Sequence, residues 1–294
     1  MLKFLLYRLG QIIIHCVPRG TAYRFAQWIS DLHYKYSAAD REAVMTNLQQ
    51  ILGTDGDVSE QAREVFRNFG RYLVDFFFMY RVNKQFIENN VTFEGKENLE
   101  RAVARGKGII ILTAHIGNWE MGAAVLSEMG YKMTVIALPH KERSVNDLFN
   151  RQRMKHGVSI VPISVAIRRC IEALRKGQMV ALLGDRDFGS FGTPMMFLGR
   201  ETHIPKGAAV FAHKTGATIL PAVVIPTGNG TFRTCFEAPI IPPDGRVDDK
   251  VAVRELIQQG TVAIEKLVRR MPTQWLMFRK FGVAYEHLYP DTGA

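Results

Sequence analysis

Short runs of β-forming residues alternate with helical runs from about residue 108 onward, and this alternation strongly constrains the fold. The strand-like runs are aliphatic and β-branched: GIIILT (108–113), KMTVIALP (132–139), VSIVPI (158–163), MVALLGD (179–185), TILPAVVIP (218–226) and GTFRTCFEAPII (230–241). The helical runs between the first four end at Gly130, Gly157 and Gly177, since glycine commonly stops a helix. Strands alternating with helices pair in parallel and are covered on both sides. The sequence therefore predicts an α/β fold with a mostly parallel central sheet and helices on both faces.

The part of the chain before this alternation is helical. Apolar residues recur at three- and four-residue spacing between about residues 21 and 90, and Ser59 stands where an N-cap is expected. The sequence contains no obvious linker, low-complexity stretch or internal repeat that would divide it further. We therefore expect a helical N-terminal extension: an amphipathic helix at 1–20, then a single domain at 21–294 with a helical lead-in over about 21–90.

The first twenty residues, MLKFLLYRLGQIIIHCVPRG, form an amphipathic pattern. Lys3, Arg8, Gln11 and His15 fall within a sector of about 140° on a helical projection, and apolar residues cover the other side. These polar residues interrupt the run of about 20 apolar residues that a spanning helix needs, and no small-residue cleavage site follows. The pattern predicts a helix that lies in a membrane interface and associates with it. The alternative is a helix packed on the protein's own core.

The chain of 294 residues carries a formal net charge of +10, which favours acidic partners such as anionic lipids, an acidic carrier protein or nucleic acid. The basic residues are scattered and no nucleic-acid-binding motif appears, so nucleic acid is not predicted as a partner. The cysteines Cys16, Cys170 and Cys235 form no C-x-x-C motif or even-numbered framework. No histidine stands at H-E-x-x-H or a comparable ligand spacing, and no metal site is predicted.

His115 and Glu120 lie directly after the first strand-like run, in the segment ILTAHIGNWE (111–120). In open α/β sheets, functional groups gather where strands lead into helices. Histidine accepts a proton near neutral pH, and a carboxylate bonded to its ring fixes the tautomer. Gly117 suits a tight turn and Asn118 a helix cap. The spacing alone leaves two interpretations open, a catalytic pair or a structural histidine bonded to a capping glutamate.

A protein nucleophile is missing from the recognisable motifs. The sequence has no G-x-S-x-G elbow and no cysteine next to a histidine in a loop-like setting. His115 would then act as a base on a hydroxyl that a substrate supplies, and this hydroxyl would attack a second substrate. A hydrolase that activates water with the same pair, and a non-catalytic lipid-binding protein, remain as alternatives.

Several ordered blocks of the sequence resemble the late acyltransferases of lipid A biosynthesis, within the lysophospholipid acyltransferase superfamily. They are NLQQILG (47–53), FRNFGRYLVDF (66–76), FEGKENLERAVARGKGIIILTAHIGNWE (93–120), LFNRQRMKHG (148–157), LLGDRDFGSFGTPMMFLGR (182–200), GAAVFAHKTGATILP (207–221) and PTQWLMF (272–278). The resemblance implies an O-acyltransferase in which His115 is the general base and Glu120 its orienting partner. It further implies a peripheral or monotopic position on the cytoplasmic face of the bacterial inner membrane.

The same resemblance implies the co-substrates and further site residues. The acyl donor is expected to be a thioester of acyl carrier protein rather than of coenzyme A, membrane lipids supply the acceptor, and no cofactor is needed. The residues matched to substrate-binding positions are Asn118, Arg153, Asp185, Arg186, Asp187 and Lys206. Arg186 stands where the family often has glutamine or histidine, and Lys206 where small residues are common. These two departures add positive charge, which leaves two interpretations: they favour a phosphorylated or otherwise anionic acceptor, or they are surface residues without a role in binding.

Overall fold

The computed structural model describes residues 2–137, 142–187, 192–243 and 249–282. Its helices are α1 (Leu2–Cys16), α2 (Arg19–Tyr36), α3 (Ala38–Leu52), α4 (Ser59–Phe78), α5 (Lys84–Asn90), α6 (Lys96–Ala104), α7 (Trp119–Glu128), α8 (Arg143–Lys155), α9 (Ala166–Arg175), α10 (Gly207–Thr215) and α11 (Asp249–Arg270). Its strands are β1 (Val91–Glu94), β2 (Ile109–Thr113), β3 (Met133–Ala137), β4 (Ser159–Pro162), β5 (Met179–Leu183), β6 (Thr193–Phe197), β7 (Arg200–Ile204), β8 (Thr218–Pro226) and β9 (Phe232–Phe236). The last residues of the strand predicted at 132–139 lie outside the described residues.

Seven of these strands form one sheet in the order β1-β9-β8-β2-β5-β3-β4. Every neighbouring pair is parallel except β8 and β9, which form an antiparallel hairpin. The predicted α/β fold with a mostly parallel sheet is therefore confirmed. The strands that are buried along most of their length, β2 and β8, lie near the centre, where residues on both sides of the strand are covered.

Strand β2 shows how both faces of the sheet are covered. Ile110 and Leu112 belong to a hydrophobic cluster that includes side chains of α9, α10 and α11. Ile109 and Ile111 point the other way and belong to a cluster with residues of α6 and α7. Alternate residues of a strand face opposite sides, so a fully apolar strand requires helices on both.

An antiparallel hairpin of β6 and β7 lies outside the main sheet, in a region where the sequence pattern predicted no strand. Its two-residue turn consists of Leu198 and Gly199, which both have positive φ angles, as a tight hairpin turn requires. Met195 and Phe197 bury their side chains, while Met196 between them is exposed. Such a short alternation is a weak signal in the sequence alone.

The predicted helical lead-in is present as α2 to α5, and α1 precedes it. Two described side chains of α1 turn inward: Ile14 is buried, and the ring of Tyr7 meets Phe149 edge to face at 5.7 Å between centroids. Leu9 and Ile12 are exposed. Helix α1 thus combines a packed side with an exposed apolar side. Among the helices of the described residues, none has both the length and the apolar character needed to cross a bilayer.

Candidate active site

The register of β2 and β5 brings two polar residues together at the carboxyl edge of the sheet. Thr113, the last residue of β2, pairs with Leu183, the last residue of β5. The pairing continues one step further, because the Gly184 N–H donates to the Thr113 carbonyl at 2.8 Å. His115 and Asp185 each follow their strand by two residues, so parallel pairing places them side by side.

His115 is hydrogen-bonded to Asp185 through both its ring and its backbone. Nδ1 of His115 lies 2.9 Å from Oδ1 of Asp185, and the His115 backbone N–H donates to Oδ2 at 3.2 Å. Oδ2 also accepts from the indole N–H of Trp275 at 2.9 Å. Asp185 is fully enclosed, whereas the His115 side chain retains 12% exposure. Among the described residues, Nε2 of His115 has no hydrogen-bond partner, which leaves this nitrogen available to a substrate.

The environment determines the charge of each member of this pair. Burial lowers the pKa of the His115 imidazole below its ordinary value, which outweighs the opposing effect of Asp185, and Arg186 lowers the pKa further. Burial opposes ionisation of Asp185, but His115, Arg186 and the Trp275 N–H together hold the pKa of this carboxyl well below its usual range. At neutral pH the pair is therefore a neutral imidazole beside a carboxylate, the state required of a general base.

The turn after His115 has the geometry that the sequence predicted. Gly117 has a φ of 59°, and an added Cβ would come within 2.2 Å of the Val224 carbonyl oxygen, so only glycine fits. Asn118 caps α7, because its side-chain oxygen accepts from the Met121 N–H at 2.9 Å. The Asn118 side chain is fully buried, so the structure gives it a capping role, and the substrate contact expected from the family remains a prediction.

Glu120 is not the hydrogen-bond partner of His115, and this part of the sequence-based prediction is wrong. Both carboxylate oxygens of Glu120 are engaged by Arg153, whose Nε and Nη2 lie at 2.8 and 2.5 Å. Glu120 sits in the first turn of α7, and the ion pair ties this turn to α8. The preceding residue, Trp119, does face His115: the two rings meet edge to face with 4.9 Å between their centroids. The helix thus directs the side chain of Glu120 to Arg153, and Asp185 occupies the Nδ1 side of His115.

The Glu120–Arg153 pair leads to a prediction about stability. Only 7% of the Glu120 side chain and 13% of the Arg153 side chain are exposed. Changing Glu120 to Gln leaves a buried guanidinium without its counter-charge, so we expect the free energy of unfolding to fall by roughly 3–5 kcal/mol. Urea denaturation followed by circular dichroism measures this change.

A surface pair serves as the matched control for that variant. Lys96 and Glu100 are 3.5 Å apart and more than half exposed, so Glu100→Gln should cost about 0–1 kcal/mol. Combining Glu120→Leu with Arg153→Met removes both charges and should recover much of the stability that Glu120→Gln loses. Equal effects of Glu120→Gln and Glu100→Gln would contradict a buried ion pair.

Of the other charged residues in the predicted site, Arg186 and Asp187 make contacts within the protein, and Lys206 lies at its surface. Arg186 donates from Nη2 to the Leu276 carbonyl at 2.7 Å, and its Nε lies 3.8 Å from Oδ2 of Asp185. Asp187 accepts from the Gly192 N–H at 2.7 Å. Lys206 is exposed at the N-terminus of α10. Arg186 thus lies in the site itself, while substrate contacts of all three remain predictions.

The segment from Gln274 to Leu276 completes the site, although sequence reasoning assigned it no role. The Gly117 N–H donates to the Gln274 carbonyl at 3.0 Å, and the Leu276 N–H donates to the His115 carbonyl at 2.8 Å. These bonds hold the turn on both sides of His115 and direct the Trp275 indole to Asp185. The block PTQWLMF was visible in the sequence, but its contact with a turn about 160 residues earlier was not. Over the described ranges, no group of three His, Cys, Asp or Glu side chains is placed to hold a metal ion.

Comparison with known proteins gives a family match over nearly the whole chain. A profile described as bacterial lipid A biosynthesis acyltransferase matches residues 2–281. Phosphatidylinositol mannoside acyltransferase of Mycobacterium tuberculosis is 29% identical over 160 residues, which is 52% of this chain and 51% of that protein. The chain therefore spans about half the length of this relative.

Two further similarities cover more of each protein. Phosphatidylinositol mannoside acyltransferase of Mycolicibacterium smegmatis is 24% identical over 73% of this chain and 72% of its own length. Lipid A biosynthesis palmitoleoyltransferase of Escherichia coli is 25% identical over 74% of this chain and 69% of its own length. The crystal structure of a 1-acyl-sn-glycerophosphate acyltransferase from Thermotoga maritima is 16% identical in sequence. The alignment covers 83% of this chain and 97% of the Thermotoga maritima chain. Its TM-score of 0.38 is too low to bear on function.

Proposed function

The chain belongs to the bacterial lipid A biosynthesis acyltransferase family, and from this premise we propose that it transfers a fatty acyl chain from a thioester to a glycolipid hydroxyl. The observation that carries the proposal is the pairing of His115 with the buried Asp185, which leaves Nε2 available. This arrangement suits a base that acts on a hydroxyl from outside the protein. The buried cysteines Cys170 and Cys235 have pKa values raised to about 11 by burial, so they do not suit the role of nucleophile.

The reaction follows from the state of this pair. The acceptor hydroxyl gives its proton to Nε2 of His115 while its oxygen attacks the thioester carbonyl carbon. Asp185 accepts a hydrogen bond from Nδ1 and stabilises the imidazolium that forms. The tetrahedral intermediate then expels the thiol as the C–S bond breaks, and the imidazolium returns its proton to the leaving sulfur. In this proposal Glu120 acts indirectly, by fixing Arg153 and the first turn of α7.

The substrate class is proposed from the family and from charge. The relatives are named for phosphatidylinositol mannoside and for lipid A, and both names denote glycolipids. A glycolipid acceptor is therefore proposed for this chain as well. The preference for acyl carrier protein over coenzyme A as donor rests on the family resemblance, and the net charge of +10 suits an acidic protein partner. The acceptor and the donor meet at the cytoplasmic face of the inner membrane, where the enzyme is peripheral or monotopic.

The pH dependence of transfer provides a second prediction. A general base acts only in its neutral form, so kcat/KM should fall tenfold per pH unit once the pH drops below the pKa of His115. Burial lowers this pKa below 6.5, so the rate should be level around neutral pH and decline only under more acidic conditions. Initial rates between pH 4.5 and 8 measure the profile. An acid limb centred above pH 6.5 would contradict the proposed environment of His115.

The experiment that tests the proposed function separates transfer from hydrolysis. The purified protein is incubated with radiolabelled acyl–acyl carrier protein, with and without a glycolipid fraction, in detergent. We expect label in the glycolipid when it is present, and little free fatty acid when it is absent. Equal release of free fatty acid in both reactions would identify a thioesterase, and no consumption of thioester with any acceptor would favour a binding protein. Mass spectrometry of membrane lipids from cells with and without the protein then identifies the acceptor.

A further inference from the structure

Helix α2 carries large apolar side chains on its solvent-facing side. The residues recur at three- and four-residue spacing within a sector of about 100°, and we call them the outer stripe: Phe25, Trp28, Ile29, Leu32 and Tyr36. Trp28 is 58% exposed and Tyr36 74%, and the rings of Phe25 and Trp28 stack at 5.9 Å between centroids. Contiguous exposed apolar surface of this kind indicates a contact that the isolated chain does not satisfy.

The inner side of the same helix combines small residues with Tyr23 and Tyr34, which pack against the core. Ala22 and Ser30 are buried, and α4 presents Gly70 to this side of α2. A Cβ at Gly70 would come within 2.3 Å of the Ser30 hydroxyl and 3.1 Å of the Ala26 carbonyl oxygen. A helix of a water-soluble protein normally turns its largest apolar side chains inward. In α2, Phe25, Trp28 and Ile29 face outward instead, so the outer environment of this helix is expected to be apolar.

Ion pairs hold α2 in this orientation. Arg19 donates to the buried Asp75 of α4 at 2.5 Å, and Tyr23 donates to the same carboxylate oxygen. Farther along the helix, Arg63 and Arg67 of α4 both bind the two carboxylate oxygens of Asp31, at 2.9 to 3.0 Å. Because these contacts lie at both ends of the α2–α4 interface, the outer stripe cannot turn inward without breaking them.

Cationic side chains flank the outer stripe along one edge. Arg24 and Lys35 are exposed, and both project about 80–100° from Phe25 around the helix. The Lys35 ammonium lies 5.3 Å from the centre of the Tyr36 ring. Tryptophan and tyrosine with basic residues beside them are typical of surfaces at the headgroup level of a bilayer. This charge complementarity favours an anionic lipid surface over an apolar protein partner.

We infer that the outer stripe is the surface through which the protein lies on an anionic bilayer, with α2 parallel to the membrane plane. The inference rests on the proposed function, which requires access to a membrane lipid, and it assigns the contact to α2 in addition to the first helix. Helix α4 lies between the outer stripe and the turn that carries His115: Gly70 faces α2, and Tyr72, two residues later, stacks on Trp119 with 4.4 Å between ring centroids. Trp119 in turn contacts His115. The reacting groups thus lie one helix layer from the proposed lipid surface.

Binding to vesicles tests the surface without any catalytic step. Vesicles of phosphatidylglycerol and phosphatidylethanolamine should sediment with the wild-type protein. The triple variant Phe25→Ser, Trp28→Ser, Ile29→Ser should bind at least about tenfold more weakly, given the cost of losing buried apolar side chains. The matched control removes exposed apolar side chains elsewhere, at Ile167 and Val262, and should bind as wild type does. Equal binding by the triple variant and wild type would overturn the inference.

Trp28 also serves as a built-in reporter of what covers the stripe. Trp275 is buried and Trp119 is partly buried, so the Trp28→Phe variant isolates the Trp28 contribution to fluorescence while keeping the aromatic surface. Brominated lipids in the vesicles should quench the wild-type protein, and the Trp28-specific part of the quenching should vanish in Trp28→Phe. Vesicle-bound protein without Trp28-specific quenching would overturn the inference. So would a dimer in analytical ultracentrifugation that disappears in the triple variant, because a second copy would then cover the stripe.

A separate variant tests the contribution of the basic residues to membrane binding. Arg24→Gln with Lys35→Gln should weaken binding to the anionic vesicles severalfold and leave the weaker binding to phosphatidylcholine vesicles unchanged. Transfer measured in detergent separates this inference from the proposed function. If the wild type transfers acyl chains in detergent but does not bind vesicles, the surface assignment fails alone. If it binds vesicles through Trp28 but transfers nothing, the proposed function fails alone.

Discussion

Replacing His115 by alanine is expected to lower acyl transfer by about 10²–10⁴-fold, because the reaction loses its general base. The protein should remain folded. Asp185 keeps its hydrogen bond from the Trp275 indole and the one from the backbone N–H at position 115, so the buried carboxylate does not become isolated. The measurement is the initial rate of label transfer from acyl–acyl carrier protein to glycolipid, with thermal unfolding recorded for each preparation.

A second histidine provides the control for this variant. His203 on β7 is exposed and lies outside the site, so His203→Ala should transfer at the wild-type rate. Near-wild-type transfer by the His115→Ala variant would remove His115 from the chemistry altogether. A loss of rate accompanied by a matching loss of folded protein would instead indicate a structural histidine, the alternative that the H-x-x-x-x-E spacing left open.

Changing Asp185 to asparagine should lower the rate of acyl transfer by on the order of 10³-fold, because the substitution reverses the tautomer of His115. Asparagine has nearly the same size and shape as aspartate, so the packing around position 185 should change little. Oδ2 of Asp185 receives two N–H groups, from Trp275 and from the His115 backbone. In the variant the amide oxygen therefore belongs at this position. The amide NH₂ then faces Nδ1 of His115, where Oδ1 now lies at 2.9 Å. Nδ1 must accept this hydrogen bond, so the ring proton moves to Nε2, which can no longer take a proton from the acceptor.

Comparison with Glu120→Gln distinguishes the two carboxylates. If Asp185 orients His115, Asp185→Asn should lose rate in the folded protein, whereas Glu120→Gln should primarily lose stability. The Glu120→Gln protein that remains folded is expected to retain far more transfer than Asp185→Asn. The reverse result, with full activity in Asp185→Asn and a folded but inactive Glu120→Gln, would restore the His115–Glu120 pair predicted from spacing.

Most of the fold could be predicted from local pattern. The runs predicted as strands at 108–113 and 179–185 became β2 and β5, since uninterrupted aliphatic runs bounded by glycines have few alternatives. The order of the strands could not be predicted, because pairing depends on contacts between segments far apart in the chain. The hairpin of β6 and β7 was missed for a different reason, since two five-residue strands with mixed polarity give little periodic signal.

The residues of the candidate site also differ in whether local sequence predicts their position. Local sequence was sufficient to place His115 just after a buried strand and Asn118 as the cap of the next helix, because both depend on the end of one strand and the start of one helix. Local sequence was misleading for Glu120. A carboxylate five residues after a histidine is close to it along the chain, but this spacing does not direct the carboxylate toward the histidine in space. In the structure Glu120 points to Arg153 on α8, 33 residues later. A side chain's partner depends on which face of its helix meets which neighbour, and this was not encoded locally.

The sequence by itself determined the class of fold, the strand-to-helix turn that carries His115 and the lack of a recognisable nucleophile motif, since each depends on the order of neighbouring residues. The tertiary structure alone decided that Asp185 orients His115 and that Trp275 orients Asp185. That decision required β5 to lie beside β2 in register and the segment after α11 to return to the turn. It also decided that the large apolar side of α2 faces outward, because a helical pattern defines an apolar side but not the direction it faces. The direction in which the apolar side of α2 faces is set by packing, through the close approach of α2 to Gly70 and the ion pairs between α2 and α4.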